Sequence, residues 1–214
     1  MKDWNGNGNS IFKTLGASNH TDKERESNDY YATDPIAIEK LEAVYKIPMY
    51  VWECACGQCH LSIALQKTGH SVHSSDIIKR CAGASMPTNV MDFLQAKEMP
   101  LIFHKDLTQN DVCILTNPPY KYATQFIEHA LEILPKGAPC IMLLKTTALE
   151  GKGRYDRLYK KGYLKAVYQF SERLLCAKNG YFEGMKAGGG SAVSYAWFIF
   201  ADDGKNDPPK IHWI

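Results

Sequence analysis

The strongest chemical pattern in the chain is the tetrapeptide Asn117-Pro118-Pro119-Tyr120. The apolar run Val112 to Leu115 before it is short and β-rich, which predicts a buried strand. Two prolines fix two φ angles and remove two backbone donors, and a residue before proline avoids the helical region. We therefore predict a rigid loop at the C-terminal end of a strand, carrying an amide, bare carbonyl oxygens and an aromatic ring. An ordinary Pro-Pro turn is the alternative.

A second group of polar residues surrounds a predicted strand–turn–helix unit. The strand, Met49 to Trp52, leads into Glu53 and Gly57, and Asp76 closes the next strand. Gly57 permits a tight turn, and the helix after it offers free N–H groups. An acid at the position of Asp76 can bind ribose hydroxyls. The unit predicts a nucleotide site, although Cys59 stands where a second glycine is expected.

The same turn contains the pattern Cys56-Gly57-Gln58-Cys59-His60, which allows other chemistry. It matches both the C-x-x-C-H haem attachment pattern and a dithiol redox motif. Haem attachment normally requires export, for which the sequence has no signal, whereas a reactive thiolate at a helix N-terminus is physically possible. Four side chains here are also conceivable zinc ligands: Cys54, Cys56, Cys59 and His60. No second Cys/His pair is evident, so we predict no metal site and keep a redox or metal module as an alternative.

The remaining pattern predicts the elements that position these groups. Strands alternate with helices through the first two-thirds of the chain, which predicts βαβ units and a mostly parallel sheet of an α/β fold. We expect a helix after Pro35 with the apolar stripe Ile36, Ile38, Leu41, Val44 and Tyr45. Further strands are expected over 71–74, 138–144, 164–170 and 195–200, helices over 61–68, 126–133 and 151–162, a long mobile loop over 171–191, and pairing over 210–214.

Length and composition predict one domain. The chain has 214 residues, of which 45% are hydrophobic and 22% charged, enough to bury a core. No apolar run has membrane-spanning length and no signal peptide is evident, so we expect a cytoplasmic protein that contacts no membrane. Seven cysteines without a secretory signal predict reduced thiols rather than disulfides. Residues 1–28 are predicted to be a flexible tail and 29–214 the domain.

These motifs together resemble those of class I S-adenosylmethionine-dependent methyltransferases, and more narrowly the group that modifies adenine at N6. The resemblance is carried, in order, by Asp29 to Pro35, Glu53 to Gly57, Asp76, Asp92-Phe93-Leu94 and Asn117-Pro118-Pro119-Tyr120. The opening segment and the Trp197-Phe198-Ile199-Phe200 strand look like small adenine methyltransferases of phages and mobile elements. The resemblance implies a Rossmann-like fold with a mostly parallel seven-stranded sheet and an antiparallel C-terminal strand.

The resemblance also implies roles for individual residues. Tyr31 and Thr33 are expected near the amino-acid end of S-adenosylmethionine. The residues expected to bind the rest of this cofactor are Glu53, Ala55 and Gly57 at the methionine and sugar edge, Asp76 at the ribose, and Asp92 and Phe93 at the adenine. Asn117 Oδ1 and the Pro118 carbonyl would accept the two amine hydrogens, so that the nitrogen lone pair points at the methyl group. Tyr120, held beside Pro119, would stack on the base.

The charge distribution favours a nucleic acid as the acceptor. From Lys145 to Lys186 there are ten Lys and Arg against four Asp and Glu, and such an excess can follow a phosphate backbone. A base in a duplex must be flipped out to reach the loop. The predicted phosphate contacts are Lys121, Lys145, Lys152, Arg154, Arg157 and Arg173. We predict a DNA adenine N6-methyltransferase; the alternatives are RNA adenine, DNA cytosine N4 or protein glutamine as acceptor, or a catalytically silent nucleic-acid-binding protein.

Overall fold

The computed structural model describes residues 31–81, 88–100, 107–178, 180–187 and 193–214. The predicted tail 1–28 lies outside the described residues, as do Asp29 and Tyr30. The strands are β1 Tyr31–Thr33, β2 Tyr50–Glu53, β3 Ser71–Asp76, β4 Thr88–Val90, β5 Val112–Thr116, β6 Cys140–Lys145, β7 Leu164–Gln169, β8 Cys176–Lys178, β9 Tyr195–Phe200 and β10 Lys210–Trp213. The helices are α1 Ile36–Glu42, α2 His60–Lys67, α3 Ala123–Ile133, α4 Lys152–Arg154 and α5 Phe182–Ala187.

Shorter turns connect these elements. Three are 3₁₀ turns, at Phe93–Gln95, Tyr120–Tyr122 and Thr146–Leu149, and α4 continues as a π-helical turn over Tyr155–Tyr159. Within the described ranges, no helix is both long and apolar enough to span a bilayer.

Eight of the described strands form one sheet, in the order β10-β7-β9-β6-β5-β2-β3-β4. Only β9 runs antiparallel to its neighbours β6 and β7, and the other pairings are parallel. This confirms the predicted fold class, a mostly parallel α/β sheet with an antiparallel strand near the C-terminus. The sheet has one strand more than the seven predicted, because β4, which lies in a segment predicted to be irregular, pairs in parallel with β3 at one edge. The predicted pairing over 210–214 is confirmed, since β10 pairs in parallel with β7 at the other edge.

The central strands are buried on both faces. Every residue of β5 is buried, as expected for a strand of a parallel sheet that is covered on both sides. Because successive side chains of a strand point to opposite faces, Ile114 packs in one core cluster and Cys113 and Leu115 in the other. Helix α3 contributes Phe126 to the first cluster, while α1 and α2 contribute Leu41 and others to the second.

Two local predictions were wrong. The stripe predicted for α1 is misplaced, because Ile36 and Val44 are exposed while Ala37, Ile38 and Leu41 form the buried face. The segment 171–191 was predicted to be a loop, yet β8 and α5 lie within it. Strand β8 pairs antiparallel with β1 in a separate two-stranded sheet. A pairing between strands so distant along the chain leaves no local signal among the glycines of this segment.

Candidate active site

The predicted site residues lie along one edge of the sheet. Strands β3, β2, β5 and β6 are adjacent and parallel, so their carboxyl ends meet at the same edge. Glu53 ends β2, Asp76 ends β3, Asn117 follows β5 and Lys145 ends β6. In open α/β sheets this edge is where ligands bind.

The turn after β2 is held against the end of β3. The Gly57 N–H donates to Asp76 Oδ2 at 2.8 Å, and the Cys56 N–H donates to the Ser75 carbonyl at 3.0 Å. Gly57 has a φ of +53° and Cys59 a φ of +64°, the one positive φ outside glycine among the described residues. A non-glycine residue there costs about 1–2 kcal/mol. The missing glycine is thus replaced by a cysteine that adopts a glycine conformation.

Asp76 is the centre of a small donor cluster. The side chain is 9% exposed. In addition to the Gly57 N–H, two groups donate to Asp76 Oδ1: the Ile78 N–H at 3.0 Å and the Arg80 guanidinium at 3.1 Å. These donors fix the carboxylate at the end of β3 next to the Gly57 turn, where the sequence places a ribose contact.

Glu53 lies deeper, and its carboxyl group has a hydroxyl partner. The side chain is 2% exposed, the Ser62 hydroxyl donates to Oε2, and the Ser62 and Ser74 hydroxyls lie 2.7 Å apart. Burial raises the pKa of Glu53 to about 8, while the Ser62 hydrogen bonds partly oppose this shift. Ala55 is partly buried against the core cluster of β5 and α3. A buried carboxyl group of this kind suits a cationic ligand group, which would favour its ionised form.

The residues predicted at the cofactor adenine differ in environment. Asp92 Oδ1 accepts a hydrogen bond from the Leu94 N–H at 3.0 Å and begins the 3₁₀ turn there. Phe93 is 2% exposed, with ring centroids 5.2 Å from Trp52 and 4.9 Å from Phe126. The Phe93 ring is therefore part of the core, and its role as a cofactor contact stays a prediction.

The loop after β5 contains buried polar atoms without partners. The Asn117 amide donates from Nδ2 to Thr33 Oγ1 at 2.9 Å, whereas its Oδ1 is buried without a hydrogen-bond partner. In the described part of the chain, Thr116 Oγ1 and Asn117 Oδ1 are both buried here without a hydrogen-bond partner, and the Tyr120 hydroxyl lies beside the Asn117 and Tyr195 side chains. Native proteins satisfy most buried polar groups, so these two oxygen atoms are available as acceptors to a ligand or to ordered water.

Tyr120 is packed from two sides. Its ring lies 6.2 Å from the Tyr195 ring in a stacked arrangement, and Lys145 Nζ lies 5.1 Å from its centroid. Burial raises the pKa of Tyr120 well above its ordinary value. The prediction that this ring stacks on an acceptor base stays untested, and the neighbouring Tyr122 is 42% exposed.

The comparisons with known proteins give structural but no sequence relatives. No protein-family model matches the chain, and no curated protein is similar to it in sequence. A candidate hemolysin from Lactococcus lactis aligns with a TM-score of 0.55 and 12% identity over 83% of this chain and 89% of its own. The 23S rRNA methyltransferase ErmE aligns with a TM-score of 0.51 and 15% identity over 84% of this chain and 71% of its own.

A third similar structure is the modification subunit of a candidate type I restriction enzyme from Vibrio vulnificus YJ016. It aligns with a TM-score of 0.51 and 13% identity over 89% of this chain, but this chain spans 48% of that subunit. These structural similarities accompany a mostly parallel sheet with one antiparallel strand among those described. This chain has the Rossmann-like methyltransferase fold.

In this methyltransferase fold the six basic residues predicted to bind phosphates fall into different environments. Arg154 donates to the carbonyl oxygens of Ala148 at 2.8 Å and Thr147 at 3.4 Å, and Arg157 forms an ion pair with Glu128. Lys145 lies over the Tyr120 ring. The others are exposed: Lys121, Lys152 and Arg173. As nucleic-acid contacts all six remain predictions, and the intramolecular partners of Arg154 and Arg157 were not readable from the sequence.

The cysteine prediction was wrong at one pair. Cys59 and Cys81 are joined by a disulfide, whereas reduced thiols were predicted. Five other cysteines are buried and form no disulfide: Cys54, Cys56, Cys113, Cys140 and Cys176. Among the described residues, no three His, Cys, Asp or Glu side chains are grouped so that they could hold a metal ion. The sequence did not pair Cys81, because it lies beyond β3 and approaches the turn only in the fold.

Sequence reasoning missed two residues at this edge, Arg80 and Ile77, and one contact of a predicted residue. Thr33 was predicted near the cofactor, and its hydroxyl also contacts the Asn117 amide. Arg80 holds Asp76, and Ile77 beside it is 63% exposed. The position of Ile77, an apolar residue directly after the acid that ends β3, was a signal that the sequence offered. The hydrogen bonds of Thr33 with Asn117 and of Arg80 with Asp76 follow no local sequence pattern.

Proposed function

We propose that this chain transfers a methyl group from S-adenosylmethionine to the N6 amino group of adenine in DNA. The observation that carries the proposal is the buried, unpartnered Oδ1 of Asn117 at the carboxyl edge of the sheet. The methyltransferase fold supports the cofactor, and the ordered motifs of the sequence support the acceptor.

The cofactor would lie across the carboxyl ends of β2 and β3. The Gly57 turn and the Asp76 carboxylate offer contacts for the ribose, and the exposed Ile77 side chain offers an apolar surface for the base. When bound, S-adenosylmethionine supplies an electrophilic methyl group on a positively charged sulfur. Glu53 fits this cation, because burial raises the pKa of its carboxyl group and a positive charge beside it would favour the ionised form.

The acceptor nitrogen would be held by the loop after β5. The exocyclic amine of adenine is a poor nucleophile because its lone pair is delocalised into the ring. Asn117 Oδ1 and the Pro118 carbonyl oxygen can accept its two hydrogens and so favour a pyramidal nitrogen. As positive charge develops on that nitrogen, it meets acceptors that are already oriented. The proton leaves after the transfer, so no side-chain general base is required.

Thr33 acts as a positioning residue for this step. Its buried hydroxyl accepts a hydrogen bond from Asn117 Nδ2 at 2.9 Å. With the nitrogen of the amide engaged in this way, the oxygen is the atom left for the substrate. Strand β1, which carries Thr33, is paired with β8, so the two-stranded sheet helps to set the amide orientation.

A nucleic acid is favoured by exposed cations after the acceptor loop, which is the segment from Asn117 to Tyr120. Lys121 directly follows this loop and Lys152 follows β6, and phosphate contacts of this kind position a duplex without reading its sequence. DNA is favoured over RNA by the resemblance of the opening segment to small adenine methyltransferases of phages and mobile elements, since the structural neighbours include both a restriction-enzyme modification subunit and a 23S rRNA methyltransferase. A base flipped out of the duplex would reach Asn117.

The decisive experiment supplies labelled S-adenosylmethionine with DNA, RNA or protein as the acceptor. We expect label in N6-methyladenine after hydrolysis of the DNA, and no label with the Asn117→Ala variant. Label confined to RNA, protein or N4-methylcytosine would overturn the acceptor assignment but keep methyl transfer. Binding of the cofactor and DNA without any transfer would support a silent binding protein, and zinc or haem in a protein that does not bind the cofactor would support the cysteine alternative.

A further inference from the structure

Three cysteines meet between the Gly57 turn and the segment after β3. Cys59 is bonded to Cys81, and the Cys56 sulfur lies 3.8 Å from the Cys59 sulfur. Cys56 and Cys59 are 3% and 0% exposed, while Cys81 is half-buried. The three form a separate cluster in the fold. The proposed methyl transfer uses none of their sulfur atoms.

The disulfide ties together two parts of the proposed cofactor site. One end is on the turn that carries Gly57, and the other follows Asp76, Ile77 and Arg80 by only a few residues. The Cys81 sulfur also lies 3.5 Å from the Gly57 carbonyl oxygen. The bond therefore reinforces the contact between the Gly57 N–H and the Asp76 carboxylate.

We propose that Cys56, Cys59 and Cys81 form a thiol–disulfide exchange site, in which Cys59 is bonded either to Cys81 or to Cys56. The first bond tethers the segment after Asp76 to the turn, and the second releases it. The Cys56-Gly57-Gln58-Cys59 motif is then a working dithiol within a methyltransferase fold, with small thiols and dithiols as its reaction partners.

The exchange is balanced within the chain. The Cys56 thiol loses a proton, and its thiolate attacks the Cys59 sulfur, as in ordinary thiol–disulfide exchange. The Cys56–Cys59 bond forms while the Cys59–Cys81 bond breaks, and the electron pair leaves on Cys81, which takes up a proton. No net oxidation occurs. An external dithiol reduces either bond fully, giving two protein thiols and a cyclic disulfide of the dithiol, and half-buried Cys81 is its point of entry.

The consequence for the cofactor rests on the proposed function. A tether that keeps Asp76 and Ile77 beside the Gly57 turn removes part of the ordering cost of binding. We expect the Cys59–Cys81 form to bind S-adenosylmethionine about fivefold more tightly than the reduced protein, an effect of the size that preorganisation of one segment gives.

Peptide mapping tests the exchange directly, because trypsin separates the three cysteines into two peptides. Cys56 and Cys59 fall in residues 47–67, which also contain Cys54, and Cys81 falls in residues 81–97, so fragment-ion sequencing assigns the internal bond. The full chain is equilibrated with mixtures of oxidised and reduced dithiothreitol, alkylated and digested. We expect both a cross-link between the peptides and an internal bond within 47–67. With Cys56→Ser only the cross-link should remain, and with Cys81→Ser only the internal bond. Absence of either species from the wild-type chain would overturn the proposal.

A second pair of measurements separates this proposal from the proposed function. Hydrogen exchange at Gly57 and Ile78 should be faster in the reduced chain and in Cys81→Ser than in the tethered chain, whether or not the cofactor binds. Calorimetry then compares S-adenosylmethionine binding in the same samples. Equal or weaker binding by the tethered chain would overturn control of the cofactor site. If no form binds the cofactor while exchange proceeds, the proposed function fails and the exchange site stands.

Discussion

The two halves of the candidate site differ in how their buried polar groups are satisfied. At the turn after β2, where the cofactor is proposed to bind, three groups have hydrogen-bond partners within the chain: the Gly57 N–H, the Asp76 carboxylate and the Glu53 carboxyl group. At the acceptor loop and the end of β5, Asn117 Oδ1 and Thr116 Oγ1 are buried without one. A buried polar atom without a partner costs about 1–3 kcal/mol.

This comparison indicates that the loop after β5, rather than the turn after β2, gains the most from binding a ligand. The turn keeps its shape through internal hydrogen bonds, so a cofactor adds contacts to a cradle that is already formed. The loop instead holds an acceptor oxygen in place at a cost in stability, and the two prolines keep it there. In the proposed reaction, the amine of the substrate would donate a hydrogen bond to this oxygen and restore the lost stability. This is the arrangement expected of an oriented catalytic group.

The largest expected effect sharpens this contrast at the acceptor loop. Replacing Asn117 by alanine removes an oriented acceptor, so turnover should fall about 100-fold or more, as for loss of one oriented transition-state hydrogen bond. The dissociation constant of S-adenosylmethionine should stay within about twofold, because the cofactor half keeps its own partners. Single-turnover transfer and calorimetry measure the two quantities. Asn110→Ala, in an exposed loop, is the control; a loss of cofactor binding in N117A would break the contrast.

The opposite phenotype is expected at Asp76. The Asp76→Asn variant loses the charge that the Gly57 N–H and Arg80 hold in place. Its affinity for S-adenosylmethionine should fall about 10- to 100-fold, the value of a hydrogen bond to a charged group. Turnover at saturating cofactor should change far less, as initial rates at several cofactor concentrations will show. Asp203→Asn, on a surface turn paired with Lys165, should behave like the wild type.

Cofactor binding should also depend on pH through Glu53. Its pKa lies at about 8, and a cationic ligand favours the carboxylate, so affinity should rise about 20-fold from pH 6.5 to 8.5 as the proton is released. Calorimetry in buffers of different ionisation enthalpy measures this proton. In Glu53→Gln the pH dependence should disappear; an unchanged slope would assign it to another group.

The same shift bears on stability with a definite sign. The folded chain holds the Glu53 proton up to about pH 8, whereas the unfolded chain loses it near the ordinary value of 4.5. The stability contributed by Glu53 is therefore full below pH 4.5 and is lost as the pH rises towards 8. Urea unfolding of the wild type and of Glu53→Gln between pH 5 and 8 should show this slope in the wild type alone.

A smaller effect is expected at Thr33, which links the two-stranded sheet to the acceptor loop. Thr33→Val keeps the shape of the side chain and removes the hydroxyl, so turnover should fall about tenfold, the value of one net hydrogen bond. Thr33→Ser restores a hydroxyl and should recover most of this loss. Cofactor affinity is the discriminating measurement: if it falls in parallel with turnover, Thr33 contacts the cofactor rather than positions Asn117.

The smallest effects concern DNA. Lys121→Gln and Lys152→Gln should each weaken duplex binding about threefold. Each should also reduce the slope of log K against log salt concentration by about the value of one phosphate contact. Lys136→Gln is the matched control, since Lys136 pairs with Asp202 before β6, at the opposite edge of the sheet. Fluorescence anisotropy at several salt concentrations measures the affinity of the three variants for duplex DNA. Equal effects in the three variants would indicate a general charge effect instead of a defined surface.

Local sequence determined most elements of this chain. The apolar run of β5 and the prolines after it predicted a buried strand that ends in a rigid loop, because burial on both faces and fixed φ angles are local properties. The Gly57 turn and the acid that ends β3 were likewise readable, and the strand–helix alternation predicted the parallel sheet.

The contacts between these local features are seen in the tertiary structure alone. The contact of Thr33 with Asn117, the ion pair of Arg157 with Glu128 and the bond between Cys59 and Cys81 each join residues far apart in the chain. No periodicity records such pairs, since their distances depend on the order of strands in the sheet. The rigid loop around Asn117 was therefore predictable from local sequence, whereas the engagement of its amide nitrogen by Thr33 depends on the fold.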